Sequence, residues 1–549
     1  MPAIRSLYLS PLSFRRFSFA AIGILIFTSF RRFSLAAIGV LLFASFGSLI
    51  PPSASAGAGP NAVPYIDLVA PVSANPGATG VTLTVLGTGF VATSVVKWNS
   101  ISLTTMFMSS KELTASVPDS FVAAVGLGAI TVVSPTPGGG TSNVFYFPVA
   151  ANEASTRFPT SPSSSVSVGG MPQGITAAAL NNDGKIDLAV ANKTDGTVSI
   201  LLGNGDGTFT TKSTPAAGAG ANWIAVGDFN EDGKPDLAVA NNGIVGAGGV
   251  SILIGNGDGT YTAGTSLTAG SNPFAITTAD LNGDGHLDLA VSNSMDGTIT
   301  VFLGNGDGTF GAGRTITVGA LPQQIVPGDF NEDGILDLAV SNETAGTVSV
   351  LLGNGDGTFL GQSTFSTGGS GTPIGLIAAD FNKDSHLDLA AVNASDVAIL
   401  LGNGAGSFTL NANPTTGSGD LIAGVAGDYN GDGNLDLVLS DRAAGDAFLF
   451  LGAGNGSFGT ATTFTTASGA FGVATADFNG DGALDLAVAN GNANNVSIFL
   501  QTLPVSLAPS SIAFGNQAVG GSEQSVDGDV DQQQRKHAHN RENHFYWNG

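Results

Sequence analysis

The sequence predicts an all-β protein in which a seven-bladed β-propeller follows a β-sandwich. Three observations support this prediction. Glycine provides 79 of the 549 residues and charged residues only 11%, so the charged surface that helices usually show is missing. A nine-residue loop rich in Asp and Asn occurs seven times, and its copies begin 48 to 52 residues apart. Short apolar strands follow each copy, and several strands per unit at this period are typical of a propeller.

The first 56 residues have the features of an export signal. Basic residues precede short apolar runs, and the small residues that end at Ala56 offer a cleavage site. Residues 14–29 are repeated with few changes as residues 30–45. Each apolar run is shorter than the ~20 residues that a membrane span needs. We therefore expect removal of the signal, no membrane span in the mature chain, and a secreted or cell-surface protein; an uncleaved membrane anchor is the alternative.

Residues 60–149 alternate short β-rich runs with Gly, Pro and Asn turns, which indicates an antiparallel β-sandwich. This region resembles an IPT/TIG immunoglobulin-like domain in three segments, GTGF at 87, VKWN at 96 and PGGGTSN at 137. Domains of that family serve as binding modules or as spacers. Because no cluster of aromatic or charged residues favours binding, we expect a spacer.

The repeated loop follows the pattern D-x-N-x-D-G-x-x-D, and its positions are numbered here from 1 to 9. An apolar strand, a polar turn and a second apolar strand follow each loop. In six of the seven units a glycine-rich turn that ends in an aromatic residue comes next, as in GNGDGTF at 203. Its glycines fit a tight hairpin turn with positive φ, so we expect Phe209 and its equivalents to pack between blades. A cation held by Asn204 and Asp206 is the alternative.

The two ends of the array predict a closed ring over residues 151–505. The seventh unit stops after residues 496–501 without a glycine turn or an outer strand. Residues 157–168, ahead of the first loop, resemble the strand that is missing there. An N-terminal strand that completes the last blade would remove the exposed edge that an open array leaves.

The loop suits Ca²⁺, which binds six to eight oxygen atoms. Side chains at positions 1, 3, 5 and 9 and a backbone carbonyl at position 7 supply oxygens, and Gly at position 6 permits a sharp turn. Mg²⁺ fits less well because it demands near-ideal octahedral geometry and keeps its waters. The predicted ligands are Asn181, Asp183, Asp187, Asp228, Asn230, Asp232, Asp236, Asp280, Asn282, Asp284, Asp288, Asp329, Asn331, Asp333, Asp337, Asp380, Asn382, Asp384, Asp388, Asp428, Asn430, Asp432, Asp436, Asp477, Asn479, Asp481 and Asp485.

Two loops depart from the pattern. Loop 1 has Ala179 at position 1, and loop 5 has Ser385 at position 6. We therefore expect five complete calcium sites and two weaker ones. The alternative is that Asp and Asn form Asx turns that bind no metal, but seven copies in register favour metal binding.

Net charge and cysteine content exclude several classes of function. The chain has 18 Lys and Arg against 42 Asp and Glu, a net charge of −24, which repels nucleic acid and anionic membranes and attracts cations. It contains no Cys, which excludes disulfides, thiolate metal sites and cysteine nucleophiles. We expect calcium to stabilise the fold and not to act as a catalyst.

The loop, the strand pair and the glycine–aromatic turn together resemble FG-GAP/VCBS repeats, the units of the integrin α-subunit propeller and of many bacterial exported proteins. The resemblance covers all seven units. It implies that the calcium loops lie on one face of the propeller and the ligand contacts on the other. By this resemblance Asp228 and its counterparts stabilise blades and do not contact the partner, which no motif identifies.

An enzymatic role is not expected. Before residue 506 the only histidines are His286 and His386, both at position 7 of a loop, and neither adjoins a nucleophile. General acid–base chemistry would fall to carboxylates already assigned to metal. We expect a monomeric scaffold for cell-surface adhesion or for binding an extracellular protein or glycan. A structural matrix or spacer protein and a calcium-dependent polysaccharide lyase are the alternatives.

The last segment, residues 506–549, begins like another domain and then changes character. Residues 507–520 resemble the opening of an abnormal-spindle/hydin-type immunoglobulin-like domain. From residue 527 the strand pattern stops, and three of the five histidines occur there. A shift of one nucleotide would permit a strand-rich continuation, so we hypothesise a frameshift near Val526; a genuine disordered tail is the alternative.

Overall fold

Strands provide almost all of the regular structure in this computed structural model, which describes residues 59–152, 158–243, 248–417 and 419–502. The described residues contain 37 strands and one short 3-10 helix, Asp119–Phe121. The predicted export signal and the C-terminal tail lie outside the described residues. Within the described ranges, no helix is long and apolar enough to cross a membrane.

The N-terminal part is a sandwich of two antiparallel sheets around one core. The strands are β1 (Tyr65–Ala70), β2 (Thr82–Thr88), β3 (Val95–Trp98), β4 (Ile101–Ser102), β5 (Thr104–Ser109), β6 (Glu112–Ser116), β7 (Gly126–Ser134), β8 (Gly140–Thr141) and β9 (Phe145–Val149). One sheet has the order β1-β2-β6-β5 and the other β4-β3-β7-β8, with β9 also paired to β7. Buried side chains alternate with more exposed ones along β2, β3, β6 and β7. The core includes Trp98, whose ring centroid lies 5.2 Å from that of Phe147.

The repeats form seven four-stranded antiparallel sheets, numbered here as blades 1 to 7. Their strands are β10 (Ser164–Ser167), which belongs to blade 7; β11 (Pro172–Ala178), β12 (Asp187–Asn192), β13 (Thr197–Gly203) and β14 (Phe209–Ser213) in blade 1; β15 (Ala221–Gly227), β16 (Asp236–Asn241), β17 (Gly249–Gly255) and β18 (Tyr261–Thr268) in blade 2; β19 (Pro273–Ala279), β20 (Asp288–Asn293), β21 (Thr298–Phe302) and β22 (Arg314–Thr317) in blade 3; β23 (Pro322–Gly328), β24 (Asp337–Asn342), β25 (Thr347–Leu351) and β26 (Ser363–Ser366) in blade 4; β27 (Gly375–Ala379), β28 (Asp388–Val392), β29 (Val397–Gly402) and β30 (Phe408–Ala412) in blade 5; β31 (Leu421–Gly427), β32 (Asp436–Asp441), β33 (Asp446–Phe450) and β34 (Thr462–Thr465) in blade 6; and β35 (Ala470–Ala476), β36 (Asp485–Asn490) and β37 (Asn495–Phe499) in blade 7.

The blades form a closed ring, the arrangement of a β-propeller. The first strand of each blade contacts the first strand of the next, and β35 of blade 7 contacts β11 of blade 1. The second strands are buried along their whole length, as in the sequence DLAVAN of β16. The apolar centre of such a strand, LAVA in β16, is expected where neighbouring layers cover both faces of a sheet.

Blade 7 combines strands from both ends of the repeat array. β10 pairs antiparallel with β37, in a register that joins Ser164 to Ile498 and Ser167 to Asn495. This pairing confirms the prediction that an N-terminal strand completes the last blade. The edge that β37 would otherwise expose is therefore covered.

Aromatic side chains connect neighbouring blades. The aromatic residue of a glycine turn packs edge-on against the position-2 aromatic residue of the preceding blade's loop. Phe310 lies 5.5 Å from Phe229, and Phe209 of blade 1 lies 5.4 Å from Phe478 of blade 7. The same pairing occurs between blades 4 and 5 and between blades 5 and 6. These contacts confirm that the glycine-turn aromatics pack between blades.

The sandwich lies on the face of the ring that carries the nine-residue loops. The Val63 N–H donates to Asp280 Oδ2 at 2.8 Å, and the Lys111 ammonium group donates to the carbonyl of Glu332. Leu68 of β1 packs into the cluster around Phe330. The sandwich therefore packs directly against the ring at loops 3 and 4, and the Ser73 hydroxyl adds a hydrogen bond to Asp428 of loop 6. Its role as a spacer stays a prediction.

Candidate metal centre

In six loops the leading Asp accepts hydrogen bonds with both carboxylate oxygens. In loop 2, Asp228 Oδ1 accepts from the Asp232 N–H at 3.0 Å, and Oδ2 accepts from the Gly233 N–H at 2.8 Å. Loops 3 to 7 contain the same pair of bonds. This carboxylate therefore holds the first half of each loop in a tight turn.

The side chains at positions 3 and 5 turn toward the same stretch of backbone. In loop 2, Asn230 Oδ1 accepts from the Asp232 N–H at 3.1 Å, and Asp232 Oδ1 accepts from the Lys234 N–H at 3.0 Å. All seven loops share these two Asx-type bonds. Because the oxygens of positions 1 and 3 share one N–H donor, they lie close together.

The Asp at position 9 joins the loop to the glycine turn of its own blade. In loop 2, Asp236 Oδ2 accepts from the Phe229 N–H at 3.0 Å, and Oδ1 accepts from the Gly255 N–H at 2.7 Å. The other six loops repeat this arrangement, with Gln501 donating in blade 7 where the glycine turn is missing. All seven of these side chains are 0% exposed. Sequence reasoning treated position 9 only as a ligand and missed this structural role.

Two positions of every loop have left-handed backbone conformation. Position 6 was expected to need it, and Gly233 has φ of 79°. Position 4 also has positive φ, although Glu231 and Glu332 stand there in loops 2 and 4, both at 57°. Left-handed backbone costs a residue with a Cβ about 1–2 kcal/mol. The hydrogen bonds of the neighbouring Asp and Asn side chains therefore hold the loop against this strain.

The two incomplete loops differ from each other. In loop 1, Ala179 removes the leading carboxylate, so the bonds to positions 5 and 6 are absent, whereas Asn181 and Asp183 keep theirs. Loop 5 keeps the complete pattern, since the Ser385 N–H donates to Asp380 Oδ2 at 2.9 Å while Ser385 takes φ of 70°. The substitution in loop 5 therefore strains the backbone but leaves the arrangement of acceptors unchanged.

Burial shifts the proton affinity of the loop carboxylates. Desolvation raises the pKa of Asp288 and Asp436 to about 8 and that of Asp485 to about 9. The carboxylates at positions 1 and 5 of the same loop raise these values further, and the N–H groups that donate to them act in the opposite direction. A cation placed among these groups would favour their charged form.

The donor set fits a hard cation. Positions 1, 3 and 5 present oxygen atoms alone, which is the ligand type that Ca²⁺ prefers. Each carboxylate oxygen has two lone-pair sites, so an oxygen that accepts an N–H bond keeps capacity for a metal. Across the described ranges, no three His, Asp or Glu side chains form a metal-binding group. Such a site would therefore rely on the Asn at position 3 and on a backbone carbonyl as well as on carboxylates.

The glycine turns have the geometry of hairpin turns. In blade 2, Gly257 and Gly259 have φ near 78° and 79°. Asp258 Oδ1 accepts from the Thr260 N–H at 2.9 Å and from the Thr260 hydroxyl at 2.6 Å. These bonds give the Asp of the turn a role in turn formation, in agreement with the hairpin interpretation.

The two histidines at position 7 connect adjacent loops. His286 Nδ1 contacts the carboxylate of Glu231, and His386 Nδ1 contacts that of Glu332. The hydrogen bond to Glu332 raises the pKa of His386. Each histidine therefore pairs with the position-4 residue of a preceding loop.

The FG-GAP-like repeat family matches this chain six times, over residues 180–239, 228–291, 281–340, 329–391, 380–439 and 428–488. The chain belongs to this family. Each match begins at one loop and extends through the next, so together the FG-GAP-like repeats include all seven loops described above. No curated protein matches the chain.

Solved structures of low sequence identity resemble the chain over most of their own length. One is a periplasmic gluconolactonase of Pseudomonas aeruginosa, with 15% sequence identity and a TM-score of 0.46; the match covers 63% of this chain and 97% of that chain. Another is a protein of Lactobacillus plantarum, with 17% identity and a TM-score of 0.45; the match covers 61% of this chain and 95% of that chain. An Agrocybe aegerita lectin that recognises non-reducing terminal N-acetylglucosamine also matches, with 18% identity and a TM-score of 0.39; the match covers 67% of this chain and 94% of that chain. At these identities and TM-scores the likeness carries no argument about function.

The structure also reveals an apolar surface that sequence reasoning missed. Ile101 of β4 and Met106, Phe107 and Met108 of β5 are 37% to 64% exposed. Sequence reasoning found no cluster of aromatic or charged residues in this region, and it did not consider the apolar residues of the segment TTMFMS. Only the sheet order shows that β5 lies at an edge, where no neighbouring strand covers it.

Proposed function

We propose that this protein is an exported, calcium-stabilised scaffold that binds an extracellular protein or glycan at the cell surface or after secretion. In this proposal a monomeric seven-bladed propeller follows an immunoglobulin-like domain of the IPT/TIG type. The observation that supports it best is the repeated loop, in which the oxygens of positions 1 and 3 share one N–H donor. Six copies of this arrangement on one face would bind calcium at several points of the ring.

Bound calcium would neutralise part of the negative charge of the Asp carboxylates in the loops. If each site has the 10⁻⁴ to 10⁻³ M affinity usual for extracellular modules, millimolar calcium adds up to about 1.4 kcal/mol per occupied site. The test is a thermal melt of the full chain in millimolar calcium and after chelation, with bound metal counted by mass spectrometry. We expect a large drop in Tm and the loss of five to seven ions. An unchanged Tm with no bound metal would mean that the loops form Asx turns that bind no metal.

The proposed partner would bind away from the calcium loops. The sandwich already covers part of the loop face, and the exposed apolar residues of β4 and β5 offer a contact surface on the sandwich itself. The test is binding of the labelled chain to arrays of glycans and of extracellular proteins, with Met106→Ser as a variant. Absence of binding on both arrays would leave the structural matrix alternative.

Our proposal does not include catalysis. His286 and His386 pair with Glu231 and Glu332, and neither contacts a Ser, Thr or Tyr hydroxyl among the described residues. Incubation with uronic-acid polysaccharides, followed by absorbance of the unsaturated product, tests the lyase alternative. Turnover by the purified protein would contradict the proposal that its role is limited to binding.

A further inference from the structure

The ring encloses a cavity where the sandwich meets the inner strands. Its volume is about 790 Å³, and β1 forms one wall while the first strands of the blades form the others. Ligand sites in proteins typically have volumes of about 300–1,000 Å³ and mainly apolar walls with few polar groups. The aliphatic side chains of Val326, Leu376 and Ile377 provide such walls here.

Aromatic residues close the inner end of this cavity. Trp223 of blade 2, Phe274 of blade 3 and Phe471 of blade 7 lie with their ring centroids 6.3 to 6.4 Å apart. Since these blades are not all neighbours, their side chains meet across the axis of the ring. Trp223 also lines the cavity, so the aromatic cluster is its floor.

Loop 5 leaves the cavity accessible from solvent. The lining residues that are exposed include Lys383 and Ser385 on the ring and Ala70 and Pro71 at the end of β1. The hydrogen bonds between the sandwich and loops 3 and 4 lie elsewhere on the ring. The cavity therefore reaches the surface at loop 5 and at the end of β1, beside Val72, which packs on the cluster that includes Phe381.

One acidic side chain stands in the interior of the cavity with acceptor capacity to spare. Asp67 lies where the register of β1 against β2 shifts between Ile66 and Leu68. Such bulges re-aim side chains, and they are common next to functional sites. Ile66 packs in the sandwich core and Leu68 in the ring core, which leaves Asp67 facing the cavity.

Among the described residues Asp67 makes one hydrogen bond, which its Oδ1 accepts from the Asp329 N–H at 3.2 Å. The other ionisable residues of the lining do not provide a positive partner inside. Asp380 is occupied by three N–H groups of its own loop, and Lys383 lies at the exposed rim. Burial, and next to it the carboxylate of Asp329, raise the pKa of Asp67, and an ammonium group beside Asp67 would favour its charged form.

The geometry points to a binding site for a small organic amine with an apolar body, whose ammonium group pairs with Asp67. A hard metal ion would need six or more oxygen ligands, whereas the walls here are largely aliphatic. An alkylammonium group has three N–H donors, and its carbon chain matches the aliphatic walls. The side chains of Thr277 and Gln324, which also line the cavity, offer further acceptors. This site is separate from the surface proposed for the macromolecular partner. It borders two calcium loops, since the Asp329 N–H of loop 4 donates to Asp67 and Asp380 of loop 5 lines the cavity.

The test uses isothermal titration of the full chain, in excess calcium, with hexylamine, hexanol and hexanoate as probes of equal length. We expect hexylamine to bind more tightly than hexanol and hexanoate not to bind. Asp67→Asn is expected to weaken hexylamine binding by about tenfold or more and to leave hexanol unchanged. Asp119→Asn, an exposed site in the same sandwich, is the matched control.

A second variant keeps the test informative if Asp67→Asn impairs folding. Ala378 lines the cavity, and Ala378→Phe would fill it without removing the carboxylate, so we expect it to abolish binding of hexylamine and hexanol alike. Equal binding of hexylamine and hexanol to the natural chain would overturn the proposal, as would the absence of any binding. Displacement of hexylamine by additional calcium would assign a metal to Asp67 and would overturn it too.

Discussion

Asp236→Ala tests whether position 9 stabilises the fold without metal. Its two oxygens accept from the Phe229 and Gly255 N–H groups, and the side chain is fully buried. Each buried N–H left without an acceptor costs about 1–3 kcal/mol, which gives a loss of about 2–6 kcal/mol. Burial raises the pKa of Asp236 to about 6, so burying its charge opposes folding at pH 7.5. We therefore expect the lower end, a loss of about 2 kcal/mol.

The assay is urea denaturation in excess chelator at pH 7.5, followed by tryptophan fluorescence. Asp232→Ala in the same loop is the matched control, because the Asp232 side chain is 32% exposed and accepts one backbone bond and one bond from the Lys234 ammonium group. We expect this control to change the free energy of unfolding by less than about 1 kcal/mol in chelator and to lose stability mainly in calcium. Equal losses for both variants in chelator would refute the role assigned to position 9.

Three further predictions concern strain, packing and pH. Ser385→Gly should raise stability by about 1 kcal/mol, because Ser385 has a left-handed backbone. Phe229→Ala should lower stability by about 3–5 kcal/mol through loss of interblade packing, whereas Phe107→Ala at the exposed edge should change little. In chelator, Tm should fall as the pH rises from about 4, the ordinary pKa of the unfolded groups, to about 8 to 9, and should then level off. The carboxyl groups of Asp288 and Asp485 have raised pKa values in the fold, so they favour folding when protonated.

Each of these predictions has a matched control in thermal melts. Ser407→Gly, at a turn residue without positive φ, should not raise Tm, and a rise there equal to that of Ser385→Gly would contradict the strain argument. Equal losses for Phe229→Ala and Phe107→Ala would argue against packing between blades. In calcium the fall of Tm with pH should be smaller, since a cation favours the charged carboxylates; a chelated Tm that rises with pH would be inconsistent with the raised pKa values.

The repeated features of the fold could be predicted from the sequence. The period gave the strands of each blade, and the missing outer strand of the seventh unit predicted the pairing of β10 with β37. The glycine-turn aromatics were predicted to pack between blades, as Phe209 does on Phe478. These inferences succeed because each repeat places the same residue types in the same local environment.

The features that occur once in the chain could not be predicted in this way. The contact between Val63 and Asp280 joins residues 217 positions apart and follows no pattern. The bulge at Asp67 depends on the pairing of two particular strands. The bonds of position 9 arise from the distance between two loops of one blade, which sequence spacing does not reveal.

The pairing of β10 with β37 in blade 7 has a mechanical consequence. β10 begins at Ser164 opposite Ile498 near the end of β37, so the chain enters and leaves the ring at the same end of an antiparallel pair. Tension between the segments before Ser164 and after Phe499 would load these hydrogen bonds one after another, in an unzipping direction. A tether that pulls these two segments apart would therefore load the pairing of β10 with β37 directly, and the resistance to force would depend on these hydrogen bonds and on the contacts of the sandwich with the ring.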